Sequence, residues 1–195
     1  MNEQINVQKK TIKLAKMGIL CAISIVLVFL VHFPIFPAVP FLEYDPADIS
    51  ILIGTFAFGP LGGFLMTAVV SIIQGTTVSA ASGVYGIIMH IIATGVFVLV
   101  AGLIYKFKKT KKQAILGLII GSLCMVGVMY FVNLIITPKF MNVPVSVVKQ
   151  LMPFILGFNF TKAGINSVIT ILLYKHISPY LHSDSMKRKK SHKNG

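Results

Sequence analysis

"LAKMGILCAISIVLVFLVHF", residues 14–33, carries one formal charge, Lys16, in an otherwise apolar run. As a helix it rises about 30 Å, the thickness of a bilayer's hydrocarbon core. The stretch follows Lys9, Lys10 and Lys13 as the apolar part of a signal peptide would, but it is too long for one and has no small-x-small cleavage site. It reads as a retained transmembrane helix. Working outward, comparable stretches predict five more helices at about 46–59, 61–79, 83–105, 113–136 and 152–176. The fold class that follows is an all-α integral membrane protein with six transmembrane helices. Composition agrees: the chain is 55% hydrophobic and only 12% charged, where a soluble domain carries about a quarter charged residues, and its mean hydropathy is +0.84.

Turn residues separate the segments. Pro34, Pro37 and Pro40 follow the first helix, "FGPLGG" (58–63) divides the second from the third, and "SAASG" (79–83) the third from the fourth. Pro138 and Pro144 are expected to close the fifth helix and precede the sixth. At about 14 residues, roughly 21 Å, the second helix is short for a bilayer, and short segments next to Gly-Pro turns often flank binding sites.

A formal net charge of +13 has to be read by location. Four lysines precede or open the first helix, five lie between residues 105 and 112, and the end from Lys175 adds five more and Arg188. With six crossings these regions share one side, which the positive-inside rule makes the cytoplasm. Both termini are therefore expected in the cytoplasm of a multi-pass cell-membrane protein. The expected organisation is a basic N-terminal segment (1–13), a membrane domain (14–176) and a basic tail (177–195). The same distribution makes nucleic acid a poor partner for the charge. Cys21 and Cys124 fall inside apolar segments and predict reduced, packed thiols.

Only five acids occur in the chain, and Glu43, Asp45 and Asp48 lie within six positions before the second apolar run. Asp45, Pro46 and Asp48 fit N-cap, N1 and N3 of a helix, where carboxylates meet free amides and the positive end of the dipole. They are expected to be helix-start residues without ligand contact. Capping does not explain Glu43 and Tyr44. In "PFILGFNFTKAGIN" (153–166), Asn159, Lys162 and Asn166 share one helical face. A lysine at membrane depth costs about 2.5–3.5 kcal/mol unless it turns toward a cavity or a partner. A carbonyl or an acid, Glu43 among them, is a candidate partner for Lys162. Asn133 lies about one turn before Pro138, so loop one, helix five and helix six contribute polar groups at one depth, the outer half. Helix four adds Tyr85, Met89 and His90, with Gly86, Ala93 and Thr94 leaving room; His90 is expected to be an interhelical hydrogen-bonding residue. No zinc-ligand spacing occurs.

"EYDPADI" (43–49), "IGTFAFGPLGG" (53–63), "GIIMHIIATG" (86–95), "NLIITP" (133–138) and "FNFTKAGINSVITILLYK" (158–175) together resemble the riboflavin-specific S components, the RibU family, of energy-coupling factor (ECF) transporters. The resemblance runs from about residue 14 to 175. It implies a six-helix protein that captures riboflavin outside and joins a transmembrane T component and two ATPases; riboflavin is a transported ligand and no cofactor is implied. It places Glu43, Tyr44, Asn133, Asn159 and Lys162 at the flavin, with Met89 and Gly86 beside the ring. It also implies docking through a small-residue pair on helix one. Gly18 and Ala22 have that spacing, with Gly18 where the family has alanine and Ala15 as an alternative.

Independently, the chain contains no GxxxxGK[ST] phosphate loop, so ATP-driven uptake needs a partner. Two other classes stay open at this stage: an ion-coupled carrier in which Lys162 and Glu43 exchange protons, and a membrane enzyme using Asp45 and Asp48 with a metal or Ser71 with His90. An S component for another vitamin is the nearest alternative.

Overall fold

The computed structural model describes residues 2–181. Among them are six α-helices: α1 (Asn2–Leu30), α2 (Ala47–Phe58), α3 (Pro60–Thr76), α4 (Gly83–Phe107), α5 (Lys111–Met141) and α6 (Val145–Leu181). The loop after α1 is pinned by a two-residue antiparallel ribbon, β1 (Phe33–Pro34) with β2 (Glu43–Tyr44). The basic tail beyond residue 181 lies outside the described residues.

Four spans are long and apolar enough to cross a membrane: Asn6–Leu30, Ala80–Phe107, Lys111–Met141 and Val145–Tyr174. The other two helices are shorter, and α2, with 12 residues, rises only about 18 Å. Every residue of α2 from Ala47 to Phe56 is buried, and α1, α3, α4 and α6 pack around it. A helix apolar on all sides requires cover on all sides; here the neighbouring helices supply it.

Two contacts fix the depth and direction of α2. Ser24 Oγ on α1 donates to the Ala47 carbonyl at 3.1 Å, and Lys13 Nζ, further toward the start of α1, donates to the Phe58 carbonyl at 3.4 Å. The helices are therefore antiparallel, and α2 begins level with Ser24, about 9 Å below the end of α1 at Leu30. The turn into α3 is made at Gly59, whose φ of 91° favours glycine, and Pro60 follows at the first helical position, where its missing N–H costs nothing.

The fifth helix departs from expectation, for α5 continues through Pro138 to Met141. Pro138 sits in the last turn, so its missing donor removes one bond near an end that frays anyway. The helix stops at Asn142, which has a left-handed φ of 53° and donates its N–H to the Pro138 carbonyl. Similarly α6 starts at Val145, directly after Pro144, and carries Pro153 in its interior rather than at its start. The Met141 end of α5 and the Val145 end of α6 consequently reach further than the apolar pattern indicated.

The contact between α4 and α5 rests on Gly117 and Gly121. A Cβ on Gly117 would lie 2.8 Å from the Ala101 carbonyl oxygen, and one on Gly121 would lie 2.9 Å from that of Phe97. Toward the Lys13 end the core closes on Phe56, Tyr105 and Tyr174, with Phe56–Tyr105 centroids 4.7 Å apart and the two tyrosine hydroxyls 2.7 Å apart.

Candidate functional site

A cavity opens above the N-terminus of α2. It encloses about 910 Å³ of empty space, its open mouth included. Glu43, Gly86, Met89, Asn159 and Lys162 line it, which brings together five of the seven residues expected at the site. The other two lie behind the wall. Tyr44 is buried and donates its hydroxyl to Asn166 Oδ1 at 3.0 Å; burial pushes its phenol above the ordinary tyrosine range, so it keeps the proton it donates. Asn133 is fully buried, its amide donating to the Met129 carbonyl at 2.8 Å and its oxygen accepting from Thr137 Oγ1 at 2.8 Å. Asn133 therefore braces the turn of α5 that presents Met129 to the cavity.

The polar floor belongs to α2. Asp45 Oδ1 accepts from the Ala47 N–H at 3.1 Å, so this carboxylate does cap the helix, although α2 begins at Ala47 rather than Pro46. Capping does not exhaust it, contrary to expectation. Asp45 Oδ2 accepts from Lys162 Nζ at 2.7 Å and from Gln74 Nε2 at 3.1 Å. Lys162 is thus paired with Asp45, not with Glu43 as the sequence allowed; the Asp45 side chain is buried and that of Lys162 is 12% exposed. Asp48 Oδ1 accepts from Thr94 Oγ1 at 2.8 Å and Asp48 Oδ2 from Asn166 Nδ2 at 3.3 Å. Asp45 and Asp48 both face the cavity, where the positive end of the α2 dipole helps hold two carboxylates against one lysine.

His90 bonds across helices as expected, its Nδ1 lying 2.8 Å from Ser71 Oγ on α3, and it also lines the cavity. With Asp48 Oδ1 3.5 Å from Nε2, Ser71, His90 and Asp48 form a row. Ser71 Oγ also lies 2.7 Å from the Thr67 carbonyl, which competes with the imidazole for its one hydroxyl proton.

The cavity's other surfaces are apolar. Met89, Met125, Met129 and Phe158 contribute, and the roof is aromatic: Phe140 stands 5.9 Å from Phe41 of the first loop and 6.0 Å from Tyr85 of α4. Phe140 reaches that place because α5 runs past Pro138. A satellite core of Val39, Val148, Met152 and Ile155 fastens the loop to α6.

Gln74, Ser71 and Thr94 were not singled out as cavity residues from the sequence. Gln74 had a signal: it is the only amide side chain in the apolar run of α3. Ser71 reads from the sequence only as a candidate partner of His90 and Thr94 only as a small residue leaving room, since small hydroxyls are common in membrane helices as backbone-bonding residues. The proposed docking pair lies apart from the cavity, with Ala22 exposed and open space beside Gly18.

Comparison with known proteins assigns this six-helix apolar chain to a family. Residues 12–174 match the family model described as the ECF transporter, substrate-specific component. The riboflavin transporter RibU of Staphylococcus aureus (strain TCH60) is 30% identical over 91% of this chain and 96% of its own length. The riboflavin transporter FmnP of Bacillus subtilis (strain 168) is 28% identical over 88% of this chain and 95% of its own. Among solved structures, the S component of a bacterial ECF transporter superposes with a TM-score of 0.76 at 31% identity, over 88% of this chain and 98% of that one. The S component for biotin from an ECF-type ABC transporter shares the fold, with a TM-score of 0.60 at 21% identity. This chain belongs to the family of substrate-specific components of ECF transporters.

Proposed function

We propose that this chain captures riboflavin from the extracytoplasmic side and delivers it through a complex with a transmembrane T component and two ATPases. The observation that carries the reading is the division of the cavity into an apolar part (Met89, Met125, Met129, Phe140, Phe158) and a polar part (Asp45, Gln74, Asn159, Lys162). Riboflavin has the same division, a flat ring with a carbonyl and imide edge and a polyhydroxyl chain. Glu43, Gly86, Met89, Asn159 and Lys162 act at the ligand; Tyr44 and Asn133 act by holding Asn166 and Met129 in place. Asn159 donates one N–H to the Ile155 carbonyl at 2.8 Å and keeps an acceptor and a second donor, the pattern an imide edge requires.

The proposed topology puts six crossings in the cell membrane, with both termini and the 106–112 lysine run in the cytoplasm. The Lys13 contact to the α2–α3 turn supports this, because it sets the basic end of α1 opposite the cavity. Gly18 and Ala22 on the open face of α1 dock the T component, and residues 14–176 form the membrane domain between basic segments 1–13 and 177–195.

Protein purified in mild detergent from flavin-rich cells should be yellow and keep a flavin spectrum through gel filtration. A colourless preparation that also fails to quench added riboflavin would sink the reading.

A further inference from the structure

The end of the molecule opposite the cavity is strongly basic. α4 ends at Phe107 and α5 begins at Lys111, and the short turn between them gathers Lys106, Lys108, Lys109, Lys111 and Lys112, all exposed. Two contacts bring the α2–α3 turn and the start of α1 to the same end. A Cβ on Gly102 of α4 would lie 2.9 Å from the Pro60 backbone, about one helical turn before Lys106, and Lys13 donates to the Phe58 carbonyl. Lys10, Lys13 and Lys16, exposed on α1, extend the patch. The described acids Glu43, Asp45 and Asp48 all line the cavity instead, and none of these lysines has an ion-pair partner among the described residues.

The helices themselves do not account for this concentration of charge. Lys106 lies in the last turn of α4, at the negative end of its dipole, but Lys111 and Lys112 open α5, whose first turn has no acid; there the dipole favours carboxylates and opposes cations. The apolar neighbours fix the level at which the charges stand. Both membrane-capable spans stop at this turn, Ala80–Phe107 and Lys111–Met141, so the lysines flank the hydrocarbon boundary. Among them Phe107, at 86%, is the most exposed large apolar side chain of the described residues, and Leu61 beside the α2–α3 turn is 73% exposed. An acidic protein surface answers the lysines but not the ring. A lipid leaflet takes both, the ring at the acyl boundary and the ammonium groups among charged headgroups.

We infer that the α4–α5 turn is an interaction surface for anionic phospholipid headgroups, with Lys108, Lys109, Lys111 and Lys112 countering their negative charge and Phe107 seated at the base of the headgroup layer. Clusters of about four or more lysines beside a membrane span select anionic over zwitterionic lipid. The inference requires that the chain spans a bilayer, but neither a side for the turn nor a ligand for the cavity.

The chain has no tryptophan, so Phe107→Trp places a lone fluorescent reporter at the turn and keeps an aromatic ring there. The full-length Phe107→Trp protein is reconstituted in nanodiscs of mixed phosphatidylglycerol and phosphatidylcholine, with bromine on one lipid or on the other. Brominated phosphatidylglycerol should quench the reporter as though enriched roughly threefold or more over its bulk share, and raised sodium chloride should remove the excess. Combining Lys108→Gln, Lys109→Gln, Lys111→Gln and Lys112→Gln should abolish the excess, whereas Lys10→Gln with Lys16→Gln should leave it in place. A reporter at Phe131→Trp instead, about 30 Å along α5 from Lys111, should show none. Equal quenching by the two lipids in the Phe107→Trp protein would overturn the inference and leave the lysines to an acidic protein partner, a result that requires no lysine variant to fold. An excess lost equally on removal of the α1 lysines would make it an effect of net charge and overturn the α4–α5 turn as the site. Loss of the excess in sodium phosphate but not in sodium chloride of the same ionic strength would assign the lysines to a soluble anion, again overturning the inference.

Discussion

At the scale of single residues, the site depends on a buried ion pair whose members cannot be removed one at a time without consequence. Lys162→Met leaves the Asp45 carboxylate uncompensated beneath the cavity, and such half-pairs cost about 3–5 kcal/mol. We predict that Lys162→Met and Asp45→Asn each lower the thermal unfolding midpoint in detergent, and that the double variant is less destabilised than the sum; additive losses would show that the 2.7 Å contact contributes little. Tyr44→Phe should cost about 1–3 kcal/mol, because Asn166 Oδ1 loses its donor in a buried setting, and the same melting measurement checks it. The buried lysine was legible in the sequence as a group that must have a partner. Which acid it met was not, because pairing Lys162 with Asp45 across 117 positions depends on how deep α2 starts.

At the scale of elements, hydropathy and Gly/Pro punctuation located all six helices but not their roles. An all-apolar α2 reads the same whether lipid or protein surrounds it, and only the Ser24–Ala47 and Lys13–Phe58 contacts make it the central helix. Likewise Pro138 reads as a terminator, whereas its place in the last turn lets α5 carry Phe140 to the roof. Each ring contact of that kind is worth about 0.5–1.5 kcal/mol. Phe140→Ala should therefore speed flavin release roughly tenfold or more, with less effect on capture, measured by stopped-flow displacement. An unchanged release rate would take Phe140 out of the roof. The GxxxG of α5 looked no different in sequence from the small-residue patch of α1, yet one is filled by the α4 backbone and the other is open. Gly121→Leu should accordingly unfold the protein or prevent its accumulation in the membrane.

At the scale of the whole molecule, the same contrast separates binding from transport. Gly18→Leu has room on the exposed face of α1 and should leave flavin binding intact while abolishing ATP-driven uptake in cells; uptake at the wild-type rate would remove Gly18 from the docking surface. The basic segments that set the proposed orientation and the apolar runs that set the helix count were plain from composition, since both are one-dimensional patterns. The aromatic roof of the cavity was not, since it is assembled from loop one and helices far apart in the chain. A flavin held in this cavity, above the Asp45–Lys162 pair, is the proposed bound state, tested most directly by fluorescence titration of ligand-stripped protein with riboflavin. Saturable quenching at one flavin per chain, lost in Lys162→Met protein that remains monodisperse, is the predicted result; wild-type affinity in that variant, or no quenching in the wild type, would contradict it.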